Sequence, residues 1–262
     1  MYTADAALVR DDMKMVGLPA DLDIHRAVVP VYTDVEHHTW AQLIANQKQV
    51  LEGRACKEFL LGLEKVGFPE DHIPKLADIS DRIEAETGWR LTRVDGIVPD
   101  REFFELLAAR IFPSTDFIRK PEEIGYTPAP DMFHDLLGHV PLLTDPRFCA
   151  FFEAFGKAGV AAFDTDHPAR AWLPRIYWYT VEFGLIRNAE GLRIFGAGIL
   201  SSPNEVLYSL SENTRKHAFD IVQVAATDYD IWHMQNELFV IDSFDALEHA
   251  FADWTCHHGL AI

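Results

Sequence analysis

The sequence has 262 residues, 48% hydrophobic and 24% charged, which is a globular composition with enough chain to bury a sizeable core. Lys and Arg number 23 against 41 Asp and Glu, a formal net charge of −18 that disfavours nucleic acid and anionic membranes as partners. The three cysteines, Cys56, Cys149 and Cys256, are scattered without a CxxC pair, which argues against a disulfide framework and fits a reducing compartment.

The N-terminal stretch MYTADAALVRDDMKMVGL is charged throughout and lacks the apolar centre of a secretory leader. No run reaches the roughly 18 apolar residues of a membrane span, so the expected location is the cytoplasm. Residues 1–33, rich in Asp and Pro, read as an N-terminal arm, and 34–262 as a single domain with no linker inside it. From Val35 to Phe68 the apolar positions Trp40, Leu43, Ile44, Val50, Leu51, Phe59, Leu60 and Leu63 roughly follow a helical period, so one long helix is expected. A second helix runs from Ile73 to Thr87 and is closed by Gly88. WRLTRVDG alternates as a strand and turns at Asp95-Gly96. DREFFELLAARIF reads as a helix with Asp100 available as its cap.

Residues 113–130, PSTDFIRKPEEIGYTPAP, hold four prolines and read as a long loop. Helices are expected over Asp145–Phe163 and Leu173–Arg187. GLRIFGAGIL reads as a short β-element interrupted by Gly196 and Gly198. ELFVIDSF is strand-like, and Ser243 is placed to cap a last helix. The fold class is therefore mainly α with small β elements, in one domain.

The chemistry concentrates after the proline-rich loop, in PDMFHDLLGHVP (130–141). Residues five apart on an α-helix lie about 140° apart, so His134 and His139 cannot share one face of it. Gly138 can end the helix and Val140-Pro141 force an extended exit, which lets His139 fold back toward His134. Two unrelated histidines satisfied by backbone hydrogen bonds are the plainer alternative. Their pairing inside an apolar run favours convergence on one ion.

In PRIYWYTVEFGL (174–185), a helical reading puts Trp178, Val181, Glu182 and Leu185 on one face. Ile176, Tyr179 and Phe183 line another, so the helix is buried and Glu182 is its only acid. A buried carboxylate needs a cation. Arg175 and Arg187 are candidate partners, and a metal is the functional alternative. Two histidines and a carboxylate suit a non-haem Fe(II) oxygenase and equally a catalytic zinc. In IFGAGILSS (194–202), Gly196 and Gly198 permit close backbone approach, but the spacing lacks the last glycine of a dinucleotide fingerprint.

The segments RVDGIVPDREF, FIRKPEEIGYTPAPDMFHDLLGHVPLLTDPRF, IYWYTVEFGL and FGAGILSS, spanning 93–202, resemble the pterin-dependent aromatic amino-acid hydroxylases. The similarity is greatest to the bacterial members that act on phenylalanine, and it continues to about Phe244. The resemblance implies a catalytic domain of that type over 34–262, without the regulatory and tetramerisation segments of the animal enzymes, and hence a monomer. It implies hydroxylation of L-phenylalanine to L-tyrosine with O2, Fe(II) and a reduced pterin such as tetrahydrobiopterin, O2 being split between pterin and iron. His134, His139 and Glu182 would be the iron ligands. Gly96, Ile97, Val98 and Phe103 would hold the pterin, flanked by Tyr177 and Asp135. Arg119 would clamp the substrate carboxylate beside Thr127 and Pro130. Trp178, Phe183, Gly198 and Ser201 would shape the aromatic pocket, with Ser201 also bracing His134. Asp135 stands where the animal enzymes have Glu, and Pro113 where they have a histidine near the pterin.

Other readings remain at this point. A zinc-dependent hydrolase could use the same ligands with Asp135 as its general base. A non-catalytic binding protein is a third class. Within the resembled family, Ile231 is apolar where tyrosine hydroxylases carry an acid, which favours phenylalanine, with tryptophan as the runner-up.

Overall fold

Thr33 starts the first helix, α1 (Asp34–Leu51). Its hydroxyl accepts the Glu36 N–H at 3.3 Å while the Glu36 carboxylate accepts the Thr33 N–H at 2.7 Å. Two amides without helical partners are thus satisfied reciprocally. The computed structural model describes residues 15–125 and 130–260.

The long helix expected over 35–68 is two helices. α1 stops at Leu51, and α2 (Lys57–Val66) begins after a turn whose backbone pairs with Ile194: Ile194 N–H donates to Arg54 O, and Cys56 N–H to Ile194 O. Both halves keep an apolar stripe; the break falls at Gly53, which takes φ +68, and the pairing with Ile194 holds the turn. α3 (Leu76–Thr87) starts after the expected Ile73. The Ile73 N–H is bound by His37 Nδ1, and Pro74 disfavours helical dihedrals in the residue before it.

β1 (Arg90–Val94) leads to α4 (Asp100–Ala108), in which Asp100 is the first helical residue and Pro99 holds the cap position. The helix does not reach Phe112. Arg110 takes φ +57, a left-handed conformation that ends the helix and turns the chain into β2 (Ile111–Thr115). β1 and β2 pair in parallel from Arg90↔Ile111 to Val94↔Thr115. Each strand of this pair has an open edge, where Pro113 lacks no ladder bond.

α5 (Pro146–Asp164) begins at Asp145, whose side chain accepts the Arg147 and Phe148 N–H groups. α6 (Ala169–Tyr177) follows, then the hairpin of β3 (Leu185–Asn188) and β4 (Gly191–Ile194). The helix expected to Arg187 therefore ends at Glu182, and the expected β-element over 191–200 divides into β4 and a single helical turn, α7 (Ala197–Leu200). α8 (Pro203–Leu210), β5 (Arg215–Ala218), α9 (Ile221–Ala226) and β6 (Glu237–Ile241) lead to α10 (Phe244–His257), which Ser243 caps through the Ala246 N–H at 3.0 Å. The larger sheet runs β4-β3-β6-β5.

α5 is the centre of the core. Phe151, Phe152 and Phe155 are fully buried along it, Trp89 stacks on Phe152 at 5.3 Å, and Phe155 meets Phe104 of α4 at 5.4 Å. Each such pair contributes about 0.5–1.5 kcal/mol beyond the area it buries. Tyr177 rests on this platform, 5.7 Å from Phe155 and 6.1 Å from Phe152. The end of α6 is thereby fixed where the functional residues begin. Residues 16–33 run without helix or strand and are tied down by Val16 N–H to Ile97 O and by Tyr32 Oη to Asp116 O, both at 2.9 Å.

Candidate metal centre and active site

His134–His139 is a π-helical turn that passes directly into a 3-10 turn, Val140–Thr144. The expectation that the helix ends at Gly138 and exits extended through Pro141 is not met. A π turn closes i→i+5 bonds and stacks residues five apart. This brings the two imidazole centroids within 4.9 Å. Gly138 is needed for another reason: a Cβ there would lie 2.8 Å from the carbonyl oxygen of Ala197, so α7 could not pack so closely.

The third ligand sits on a second π turn, Trp178–Glu182, which continues α6 and includes the i→i+5 bond from Phe183 N–H to Trp178 O at 2.8 Å. Pro174, inside α6, has already removed one amide from the helical ladder. The two widened turns face each other across α7. Gly196 lets the second turn approach the start of α7, because a Cβ there would fall 2.4 Å from Glu182 O.

His139 Nε2 lies 3.2 Å from Glu182 Oε1 and 3.2 Å from His134 Nε2, and His134 Nε2 lies 3.7 Å from Glu182 Oε2. Ligands held about 2.1 Å from one cation at right angles stand about 3 Å apart, so the three donors fit one ion on a single face. Among the described residues this is the only cluster of three such groups. Burial pushes the His134 imidazole down to about 4, which leaves its lone pair free for a metal. Burial opposes ionisation of Glu182, but the neighbouring His139 and His134 outweigh it and hold the carboxyl well below the usual carboxylate range. The arginines that could have paired with Glu182 are elsewhere: Arg175 binds Asp228 at 2.6 Å, and Arg187 is exposed on β3. Ser201 Oγ lies 2.9 Å from His134 Nδ1.

A cavity of about 360 Å³ opens beside the cluster, with His134 and Glu182 in its wall. Arg119, Pro130, Trp178, Phe183, Gly198 and Ser201 line it too, so the structure brings these sequence-derived candidates together. Thr127 lies outside the described residues. Arg119 is almost fully buried. Its Nε and one Nη bind the two Asp131 oxygens at 2.8 Å each, and Asp131 also accepts the backbone N–H groups of Arg119 and His134. Burial disfavours the charged Asp131, but the Arg119 guanidinium outweighs it and keeps the carboxyl below its ordinary range. The guanidinium fork expected for a substrate carboxylate is therefore half used, and its other edge remains for a ligand.

Sequence reasoning missed Asp131, although an acid three residues before His134 is a recognisable helix-start signal. It also missed Glu205 and the Trp232–Met234 stretch of the cavity wall. Burial pushes the Glu205 carboxyl up to about 7. Nothing in the sequence pattern points to Trp232–Met234, which belong to a segment outside helix and strand.

The candidate pterin residues lie beyond His139. The Phe103 ring meets Tyr177 edge-on at 5.6 Å, and Tyr177 is 6.4 Å from the His139 ring. Gly96, Ile97 and Val98 form the loop after β1, where the Ile97 carbonyl accepts the Val16 N–H from the arm. Asp135 is buried, and its Oδ2 accepts both the backbone N–H and the hydroxyl of Thr115, each at 2.8 Å. Burial raises the Asp135 carboxyl to about 6 against the pull of those two bonds. No local sequence signal marks Thr115 as the partner of Asp135.

The family model for biopterin-dependent aromatic amino acid hydroxylases matches residues 25–258. The phenylalanine-4-hydroxylase of Pseudomonas aeruginosa is 45% identical over 216 residues, covering 82% of this chain and 81% of that protein. The Chromobacterium violaceum phenylalanine-4-hydroxylase is 45% identical over 242 residues, 91% of this chain and 81% of its own length. A crystal structure of the C. violaceum phenylalanine hydroxylase with iron and phenylalanine bound superposes with a TM-score of 0.80 at 46% identity, over 84% of this chain and 80% of that one.

Proposed function

The chain belongs to the biopterin-dependent aromatic amino acid hydroxylases, and from that premise we propose how its own residues divide the work. The enzyme hydroxylates L-phenylalanine to L-tyrosine with O2, a non-haem iron and a reduced pterin. The observation that carries this reading is the meeting of two imidazoles and a carboxylate at the wall of a cavity that also holds Arg119.

His134, His139 and Glu182 would hold the iron through two imidazole nitrogens and one carboxylate. Iron and pterin together supply the electrons that activate O2. Arg119, braced by Asp131, receives the substrate carboxylate on its free edge. Trp178, Phe183 and Gly198 enclose the substrate ring and exclude water, with Pro130 beside the carboxylate. Ser201 orients His134. Phe103 offers its ring to the pterin, Gly96, Ile97 and Val98 offer backbone groups, and Tyr177 flanks them. Asp135, held by Thr115, presents its other oxygen to the pterin, directly or through water.

Residues 34–262 are the catalytic unit and 1–33 an N-terminal arm, a division supported by the bonds from Val16 and Tyr32 that hold the described part of the arm. We read the enzyme as a cytoplasmic monomer: the net charge of −18 sets copies against one another, and Cys56 and Cys149 are buried as free thiols. Sedimentation at micromolar concentration checks the monomer.

The test is an assay of purified, iron-loaded protein with each aromatic amino acid, O2 and a reduced pterin. Tyrosine should form from phenylalanine, and only when O2 and pterin are both present. Faster turnover of tryptophan would move the substrate to the runner-up, and turnover without O2 would return the site to hydrolytic chemistry.

A further inference from the structure

The outer support of the substrate pocket is a segment with no regular structure. Residues 227–236 link α9 to β6, and Ile231, Trp232, His233 and Met234 within it line the cavity. Its conformation is nevertheless tightly specified. At one end Asp228 is held twice: its carboxylate binds Arg175 of α6 at 2.6 and 3.1 Å, and its carbonyl accepts Tyr179 Oη at 2.7 Å. At the other end buried Gln235 donates to Asp230 O at 2.5 Å and His233 O at 2.7 Å, while Asp230 accepts the Trp232 N–H at 2.8 Å.

Between these anchors, Tyr229 lays its ring on Trp178, with centroids 4.5 Å apart and planes 15° from parallel. Trp178 also meets Phe183 at 4.6 Å, so the indole that walls the cavity is fixed by one ring on its own π turn and by a second delivered from the segment. The π turn fixes the backbone of Trp178 but leaves its side-chain torsions unset. The lateral support of the indole must come from elsewhere, and Tyr229 supplies it.

We propose that Tyr229 is a positioning residue that fixes Trp178, and through it sets the size of aromatic ring the pocket accepts. The inference rests on the hydroxylase reading above. With Tyr229 present, Trp178 narrows the cavity to a benzene ring. Removing the Tyr229 ring leaves space into which Trp178 can tilt, so phenylalanine is held more loosely and the larger indole of tryptophan is admitted.

The experiment compares Tyr229→Leu and Tyr229→Phe with the wild type, all iron-loaded, with phenylalanine and tryptophan under saturating O2 and pterin. Tyr229→Leu should raise the KM for phenylalanine more than it lowers kcat. The ratio of kcat/KM for tryptophan to that for phenylalanine should rise roughly tenfold, the scale on which pocket size discriminates between apolar groups. Tyr229→Phe keeps the stack and should restore the wild-type ratio. Asp228→Asn weakens the anchor but keeps the ring, and should shift the ratio in the same direction by less, which gives a reading even if the leucine variant folds poorly. A Tyr229→Leu enzyme whose rates with both substrates fall by the same factor, or a ratio unmoved in Asp228→Asn, overturns the positioning role. Wild-type enzyme that hydroxylates neither amino acid would overturn the hydroxylase reading instead, so the two failures are separable.

Discussion

Ser201 Oγ donates to the carbonyl of Ala197 at 2.8 Å and stands 2.9 Å from Nδ1 of His134. A hydroxyl has one proton, and that proton is committed to Ala197. The contact to His134 is therefore an acceptance, which places the imidazole proton on Nδ1 and leaves Nε2 as the metal donor. Ala197 is also the residue whose carbonyl presses on Gly138, so one turn of helix sets both the tautomer of His134 and the packing of the turn that carries it.

Ser201→Ala should weaken iron binding by about 10–100-fold while the protein still folds, the usual cost of losing a group that orients a ligand. His134→Ala, His139→Ala and Glu182→Ala should abolish binding outright. Iron titration of the four variants separates the classes. Wild-type affinity in Ser201→Ala would show that packing alone orients His134.

Arg119→Lys keeps the charge but loses the planar fork, and with it the simultaneous grip on Asp131 and the substrate. The KM for phenylalanine should rise on the order of tenfold or more, well beyond any change in kcat. Arg119→Ala should be far less stable, because a buried Asp131 left without its partner costs about 3–5 kcal/mol. Steady-state kinetics on the lysine variant and a denaturation curve for the alanine variant check the two halves. An unchanged KM would mean that the carboxylate is held elsewhere.

Asp135→Ala should raise the KM for pterin, leave the iron content intact and loosen coupling, so that more pterin is oxidised than amino acid hydroxylated. It also strands the Thr115 N–H, at a cost of about 1–3 kcal/mol. Stability that falls with the pterin KM unmoved would reduce Asp135 to a brace for β2. Loss of iron would make it a support for His134. Pterin kinetics, metal analysis and the coupling ratio on one variant distinguish these outcomes.

Gly196→Ala should disrupt the metal site although no ligand side chain is changed. The new methyl would meet the Glu182 carbonyl and the Gly184 nitrogen at 2.4 Å, and both are backbone. Such overpacking costs about 1–3 kcal/mol or more, and here the atom that must move belongs to a ligand residue. Gly198→Ala is milder, with Phe183 and Glu182 O at 3.1–3.2 Å, and should mainly narrow the cavity. Thermal melts and iron stoichiometry compare the pair. Wild-type values for Gly196→Ala would show that α7 can retreat freely.

Much of the architecture is legible in the sequence where a local chemical signal exists. Asp145 and Ser243 cap the helices they precede, and Gly88 closes α3. Where the signal is distant, reading fails: nothing in residues 52–56 shows that they pair with Ile194, and nothing in RIF shows that Arg110 turns left-handed. The ligand set is legible because two histidines in an apolar run and a lone acid on a buried helix both demand an explanation. How the histidines converge is not, since a π turn is a choice of hydrogen-bond register and not of residue type. Asp131 and Thr115 escape for a related reason: each acts on a residue that the sequence already marks, through a contact that only the tertiary structure supplies.

Between Asp131 and Asp145 the backbone changes winding twice, from α to π and then to 3-10, before α5 begins. Each winding advances the chain by a different angle per residue, and α5 is locked among aromatic rings and cannot rotate to absorb an error. Losing one residue anywhere in Leu136–Gly138 would turn all that follows by about 100° or force the π turn to vanish. A changed side chain there costs packing; a changed count puts the two halves of the molecule out of phase. The number of residues separating His134 from His139 is thus itself an inherited part of the active site, as binding on the chain as the identity of the histidines.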